Sequence, residues 1–284
     1  MESEKLPQAI KNVRKHELHG FVYDLLLPCG HTVTLREQNG NDDDIISSFN
    51  KGEIESTSFN RFVASLVVAH NFFPTPEGKI QSLSLNDVLN IPLRSKYFMI
   101  LASRIYSLGP NLLFEWDWKD GNPPVPYEDD LTQYIWDYTE PFPEIEEETY
   151  NKERIKPYNL LRNSDSGEID FFRYLTLKSG KNIRFNLLDG HGENYLLKLP
   201  MDKRTANAVI KARNLYLLIE EKGDYVKVQN FKSFSTRDMI EIRAFVDRED
   251  SVFEGLTEIE NPNNGEIQNL PLLHVPDFFF PREI

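Results

Sequence analysis

The pattern that most constrains this chain occurs twice. Leu27-Pro28-Cys29-Gly30-His31-Thr32-Val33-Thr34-Leu35-Arg36-Glu37 is answered about 150 residues later by Leu177-Lys178-Ser179-Gly180-Lys181-Asn182-Ile183-Arg184-Phe185-Asn186-Leu187. Each copy has an apolar lead-in, a small residue beside Gly, then alternation at the two-residue period of a strand. Each also follows another alternating stretch, Gly20 to Leu27 and Asp170 to Leu177. The repeated unit is therefore a β-hairpin with Gly at its turn. It predicts an α+β fold of two related hairpin-plus-helix domains, an internal duplication. Such a scaffold presents surfaces rather than housing a single active site.

Helices are expected after each hairpin. Asp42, Asp43 and Asp44 stand where a helix would begin, a place that favours negative charge. Phe59, Phe62, Val63, Leu66 and Val67 share one helical face. Ser84-Leu85-Asn86-Asp87 has the form of a capping box. Pro92 opens a helix striped with Phe98, Leu101, Ile105 and Leu108, and Gly109-Pro110 stops it. Leu112 to Trp118 reads as a strand. In the second half, Asp189-Gly190-His191-Gly192 reads as a turn and Asp202 to Ala212 as a helix. Asn214 to Ile219 and Tyr225 to Val228 read as a hairpin. Ser235-Thr236-Arg237-Asp238 is a second capping box, opening a helix with Met239, Ile242 and Phe245.

The expected organisation is a flexible N-terminus at 1–17, a first α+β domain at 18–138 and an acidic, proline-containing linker at 139–157. A second α+β domain follows at 158–284, with the aromatic tail Phe278-Phe279-Phe280-Pro281. The linker holds Glu144-Ile145-Glu146-Glu147-Glu148, read as a solvated connector.

With 40% hydrophobic residues, 19 Phe and 12 Tyr, a sizeable core is available. The net charge of −13 repels phosphate backbones, so nucleic acid is not an expected partner. A single Cys excludes an intramolecular disulfide and any Cys-rich zinc site. No apolar run has a membrane helix's length, and the charged start leads into no signal peptide, so no membrane partner is expected and the chain should stay in the cytoplasm of the producing cell.

A catalytic set is not evident. The six His are scattered, and Cys29 beside His31 lacks a third partner. An enzymatic reading would need a carboxylate pair such as Glu37 and Asp42 to converge in a pocket. No catalytic residue, metal or cofactor is therefore assigned. The aromatic tail either folds back to fill the core of the second domain or docks in a groove on a partner. On the docking reading the partner-binding candidates are Phe278, Phe279 and Phe280, with Leu35 and Arg36 at a hairpin edge.

Taken in order, these motifs resemble those of the baseplate hub assembly chaperones and related baseplate proteins of T4-type contractile-tailed bacteriophages. The resemblance rests on Leu27-Pro28-Cys29-Gly30, Leu35-Arg36-Glu37 and Asp42-Asp43-Asp44, then Leu89, Arg94, Leu101, Arg104 and Gly109. Tyr127-Glu128-Asp129-Asp130-Leu131, the Ser179-Gly180 hairpin and the closing Leu270-Pro271 to Pro281 complete it. It implies a non-enzymatic phage tail protein that assists assembly of the baseplate hub or tail. The alternative it implies is a permanent structural component of the baseplate. Other phage tail or baseplate proteins would be the partners, met in the host cytoplasm. Many relatives carry paired cysteines after the long helix of each half, suggesting metal knuckles. Here those stretches read Trp116-Asp117-Trp118-Lys119 and Glu258-Ile259-Glu260-Asn261. Without Cys, packing or the Asn-Pro-Asn-Asn-Gly turn must hold them.

Overall fold

The two repeated turns close with the same hydrogen bonds. Leu27 N donates to His31 O and Gly30 N to Leu27 O, both at 2.8 Å, while Leu177 N donates to Lys181 O at 2.9 Å and Gly180 N to Leu177 O at 2.8 Å. Gly30 and Gly180 sit at φ 81° and 85°, in the left-handed region that a side chain rarely adopts. In this computed structural model, residues 10–47, 55–72, 82–135, 155, 157–159, 161–162, 168–253, 255–275 and 277–280 are described. Apart from Ile155 and Pro157, the expected linker at 139–157 lies outside them.

The first half runs β1 (Ile10–His16), β2 (Gly20–Leu26), β3 (Thr32–Arg36), α1 (Gly40–Ser47), α2 (Glu55–Leu66) and β4 (Val67–His70). α3 (Leu85–Leu89), α4 (Leu93–Leu108), β5 (Asn111–Trp116) and β6 (Val125–Asp130) follow. The second half runs β7 (Leu161–Arg162), β8 (Ile169–Asp170), β9 (Phe172–Thr176), β10 (Asn182–Asn186), α5 (Gly190–Leu197) and α6 (Ala206–Ala212). Then come β11 (Tyr216–Ile219), β12 (Asp224–Lys227), α7 (Thr236–Glu249), β13 (Leu256–Glu260) and β14 (Ile267–Pro271). The fold is α+β, with seven α-helices among the described residues and antiparallel sheets in the orders β1-β2-β3-β4 and β12-β11-β10-β9. β5–β6, β13–β14 and the short β7–β8 form separate pairs.

Both capping boxes form. Ser84 and Asp87 exchange side-chain and backbone bonds at the start of α3, as Ser235 and Asp238 do at α7. Other expectations are corrected. Ile10–His16, placed in the flexible N-terminus, is an edge strand with a bulge and a positive φ at Asn12, irregularities that hide its alternation. Val67 leaves the helix and begins β4, which pairs with β3 through Val33↔His70 and Leu35↔Val67. Consequently β3 is an interior strand, and Leu35 and Arg36 do not stand at a hairpin edge. The expected helix from Asp202 is a 3-10 turn at Met201–Lys203, then α6 capped by Thr205.

Asp189-Gly190-His191-Gly192 is not a turn but the start of α5. The Asp189 carboxylate accepts from Gly192 N at 2.8 Å. The glycines are there for packing. A Cβ on Gly190 would lie 2.9 Å from Leu89 Cδ2, and one on Gly192 only 2.4 Å from Ala212 O.

The smaller core packs Leu177, Ile183, Phe185 and Leu215 of the second sheet against Met239, Ile242 and Phe245 of α7. The larger core is built on α4 and takes residues from both sides of 139–157, including Phe253, Ile259, Leu270, Phe278 and Phe279. α4 is buried nearly all round from Leu93 to Ile105, as a central helix must be. Each fully buried Leu or Phe there contributes roughly 1.5–3 kcal/mol.

Candidate functional site

The residues behind the sequence motifs form the frame. Arg36 grips Asp42 through two 2.7 Å bonds, and its Nε donates to Ser65 O at 3.0 Å. Burial pushes the Asp42 carboxyl upward, but hydrogen bonds from Arg36, the Asn39 amide and Ser65 outweigh it and hold it below the usual carboxylate value. Asp42 is thus a buried brace, whereas Asp43 and Asp44 are exposed at the helix start. With Asp42 held by Arg36 and Glu37 exposed, the two carboxylates do not share a pocket.

Three cations of α4 reach across the molecule. Arg94 donates to Ser251 O and Oγ, each at 3.0 Å, and lies 4.4 Å over the Tyr158 ring. Lys96 donates to Asn60 Oδ1 at 3.1 Å and pairs with Glu193 of α5. Arg104 donates to the carbonyls of Phe278, Gly109 and Asn111. Burial without a carboxylate lowers Arg104 to about 10. Cys29 is buried, and burial pushes its thiol up to about 11, the opposite of what a nucleophile needs.

The aromatic tail folds inward, though not into the second half's core. Phe278 is 1% exposed, and Phe279 stacks edge-on to Phe62 at 5.7 Å in the larger core. Of the five candidate contact residues, Leu35, Arg36, Phe278 and Phe279 are buried. Phe280 alone is exposed. The stretches Trp116-Asp117-Trp118-Lys119 and Glu258-Ile259-Glu260-Asn261 lie together at the tips of β5–β6 and β13–β14. Trp118 Nε1 donates to Tyr127 OH, which donates to Glu260 O, both at 2.8 Å, and Asn261 Nδ2 donates to Asp120 Oδ2 at 3.1 Å. These bonds tie the hairpins directly. Among the described residues, no group of three or more His, Cys, Asp or Glu is arranged to hold a metal ion. No helix among them is long and apolar enough to cross a membrane.

The surface that stands out is the outer face of the second sheet, opposite α7. Register places Tyr174, Arg184, Tyr216 and Lys227 in one row across the four strands. Phe172 lies two steps from Tyr174 on β9, and Tyr225 two steps from Lys227 on β12. The Arg184 guanidinium lies 4.1 Å from the Phe172 ring centre, 4.4 Å from Tyr225 and 5.2 Å from Tyr216. Tyr174 and Tyr225 meet edge-on at 6.2 Å, leaning over it from opposite edges of the sheet. Arg184 Nε is buried without a hydrogen-bond partner, and no carboxylate among the described residues forms an ion pair with Arg184. Tyr174, 44% exposed, donates to Asp170 Oδ2 at 2.9 Å, and burial with that bond raises its hydroxyl's pKa.

A guanidinium walled by rings keeps a planar fork for a carboxylate or another anion, while the rings supply apolar contact. The sequence reading passed over these residues. The signal was present in Phe172-Arg173-Tyr174, where bulky aromatic residues fall on the alternation face opposite the core residues Ile183 and Phe185. Comparison of the chain with protein-family models, with curated proteins and with solved structures finds no match.

Proposed function

We propose that this chain is a non-enzymatic bacteriophage tail protein that assists assembly of the baseplate hub or tail by holding another tail protein on its second sheet. The resemblance to the T4-type baseplate hub assembly chaperones supports the class. The observation that carries the holding role is the Arg184 face, a cation and four rings turned outward on a chain that otherwise buries its aromatic tail. An aromatic cluster with an arginine is the composition of a protein-docking hot spot.

We further read the two halves as copies of one unit. Hairpin, two helices, strand, helix, hairpin and 3-10 turn recur in that order, with an added helix (α3) in the first half and an added strand (β12) in the second, and the turn hydrogen bonds match. On this reading β1 pairs along the length of β2, whereas its counterpart β7 reaches only Ile169 and Asp170, before β9 begins. On this reading the protein works in the host cytoplasm during assembly.

Quantitative mass spectrometry of purified, mature virions tests it. Absence from particles, with abundance in infected cells and co-purification of a tail protein, is the expected result. Stoichiometric copies in the particle make it a permanent baseplate component and refute the assembly-factor reading.

A further inference from the structure

We infer that the outer edge of β9 accepts an extended strand from a partner protein, and that this strand carries a carboxylate onto Arg184. The inference rests on the docking role proposed above and names the partner's chemistry.

The first sheet shows what fills this position. There β1 pairs along β2, and Asp24 on the outer face accepts from Arg14 Nη1 and Asn12 Nδ2 of β1, each at 3.0 Å. Thr34 Oγ1 supplies a third bond to Asp24 at 2.7 Å. The added strand brings the cation and the sheet brings the carboxylate.

In the second sheet β7 pairs only with Ile169 and Asp170, so the edge along β9 has no strand on it among the described residues, and β9 ends the order β12-β11-β10-β9. Leu177 N→Lys181 O and Leu187 N→Phe171 O mark hydrogen-bonded positions of the β9–β10 ladder. Such positions alternate, so the backbone groups of Tyr174 and Thr176 point away from β10. Phe172 N, the next outward donor, is taken by Asp170 Oδ1 at 2.8 Å. An edge of this kind is a template for strand addition.

The charge identifies the occupant. Asp24 and Thr34 are cross-strand partners in the first hairpin, and Tyr174 and Arg184 hold the same steps in the second. The sheet now brings the cation, so a complementary strand must bring the carboxylate. The row holding Arg184 also ends in Lys227 and contains no acidic residue. The β1 strand of a second copy is the wrong occupant, since it would set Arg14, the residue that reaches Asp24 on the outer face of the first sheet, beside these cations.

The test titrates the full chain with three probes, read by fluorescence anisotropy and amide hydrogen exchange. One is a synthetic peptide of about nine residues, strand length, alternating Val or Thr with Glu. The second has Lys in place of Glu, and the third is oligothymidylate. The expected result is binding of the Glu peptide with new protection at the Tyr174 and Thr176 amides. R184E should weaken it about tenfold or more and shift preference to the Lys peptide. T176P should remove binding while the fold is kept by circular dichroism, because the lost N–H faces away from β10 and the Thr176 Oγ1–Asn182 Oδ1 bond that goes with it is exposed.

Equal binding of the two peptides, no binding of the Glu peptide, or its binding without protection at those amides overturns the inference. Tighter binding of oligothymidylate also overturns it and makes the face a nucleic-acid surface. A pull-down of co-expressed T4-type baseplate hub proteins separates this inference from the proposed function. Capture by wild type and R184E alike leaves the assembly role standing and sinks the Arg184 assignment. Capture by wild type and loss with R184E supports both.

Discussion

Removing the chain from Asp277 onward should unfold the first half rather than merely free a docking peptide. Phe278 is 1% exposed and Phe279 is 9% exposed; their rings meet each other at 4.7 Å, and the Phe279 ring meets Phe62 at 5.7 Å. Truncating a buried Phe to Ala costs about 3–5 kcal/mol. F278A and F279A therefore each take a large part of the ~5–15 kcal/mol that separates folded from unfolded domains. The truncation removes one thing more, the Phe278 carbonyl that accepts from Arg104 Nε. Arg104 is 1% exposed, and orphaning a buried donor costs about 1–3 kcal/mol, more when it is charged. The order of stability should be wild type, then F278A or F279A, then the truncation. F280A, at an exposed ring, should sit within about 0.5 kcal/mol of wild type. Urea unfolding followed by near-ultraviolet circular dichroism measures this series. At about 2–4 °C per kcal/mol for a chain of this size, F278A should melt roughly 10 °C lower. A truncated protein with the wild-type urea midpoint would show that the rings add nothing to the core, and the reasoning would fail.

Three further outcomes follow from the frame. D42N should cost about 3 kcal/mol at neutral pH by breaking a buried pair. Because Asp42 titrates lower folded than its unfolded 3.8, its contribution is present above that pH and lost as pH falls through the folded value. The gap between wild type and D42N in acid unfolding should close below about pH 3.8, and a constant gap contradicts the brace. G192A should cost about 2 kcal/mol or more, since its Cβ would lie 2.4 Å from Ala212 O, while G40A, with open space, should be near neutral in thermal melts. Cys29 should resist iodoacetamide in the native protein at pH 8 and react at once in urea, because burial holds its thiol at about 11. Rapid native labelling, followed by mass spectrometry, would contradict its burial.

Local signals in the sequence determined the local structure. The Gly30 and Gly180 turns, the Ser84 and Ser235 capping boxes and the stop at Gly109-Pro110 each depend on hydrogen bonds spanning a few residues, and each was legible. The α+β class and the second sheet's hairpins followed from the same short-range alternation. Tertiary structure decided the rest. Val67 is apolar in a helical or a strand pattern alike, and pairing with Leu35 of β3 made it a strand. Two glycines at Gly190 and Gly192 read as a turn until Leu89 and Ala212 O, pressed against them, showed that only Gly fits in that helix. The aromatic tail read either as core of the second domain or as a docking peptide, and only the fold placed it in the larger core, with Arg104 and Phe278 separated by 174 residues. The Arg184 face was hidden for the same reason. Its row joins strands β9 to β12, and alternation within one strand does not reveal which rings from other strands will share its face.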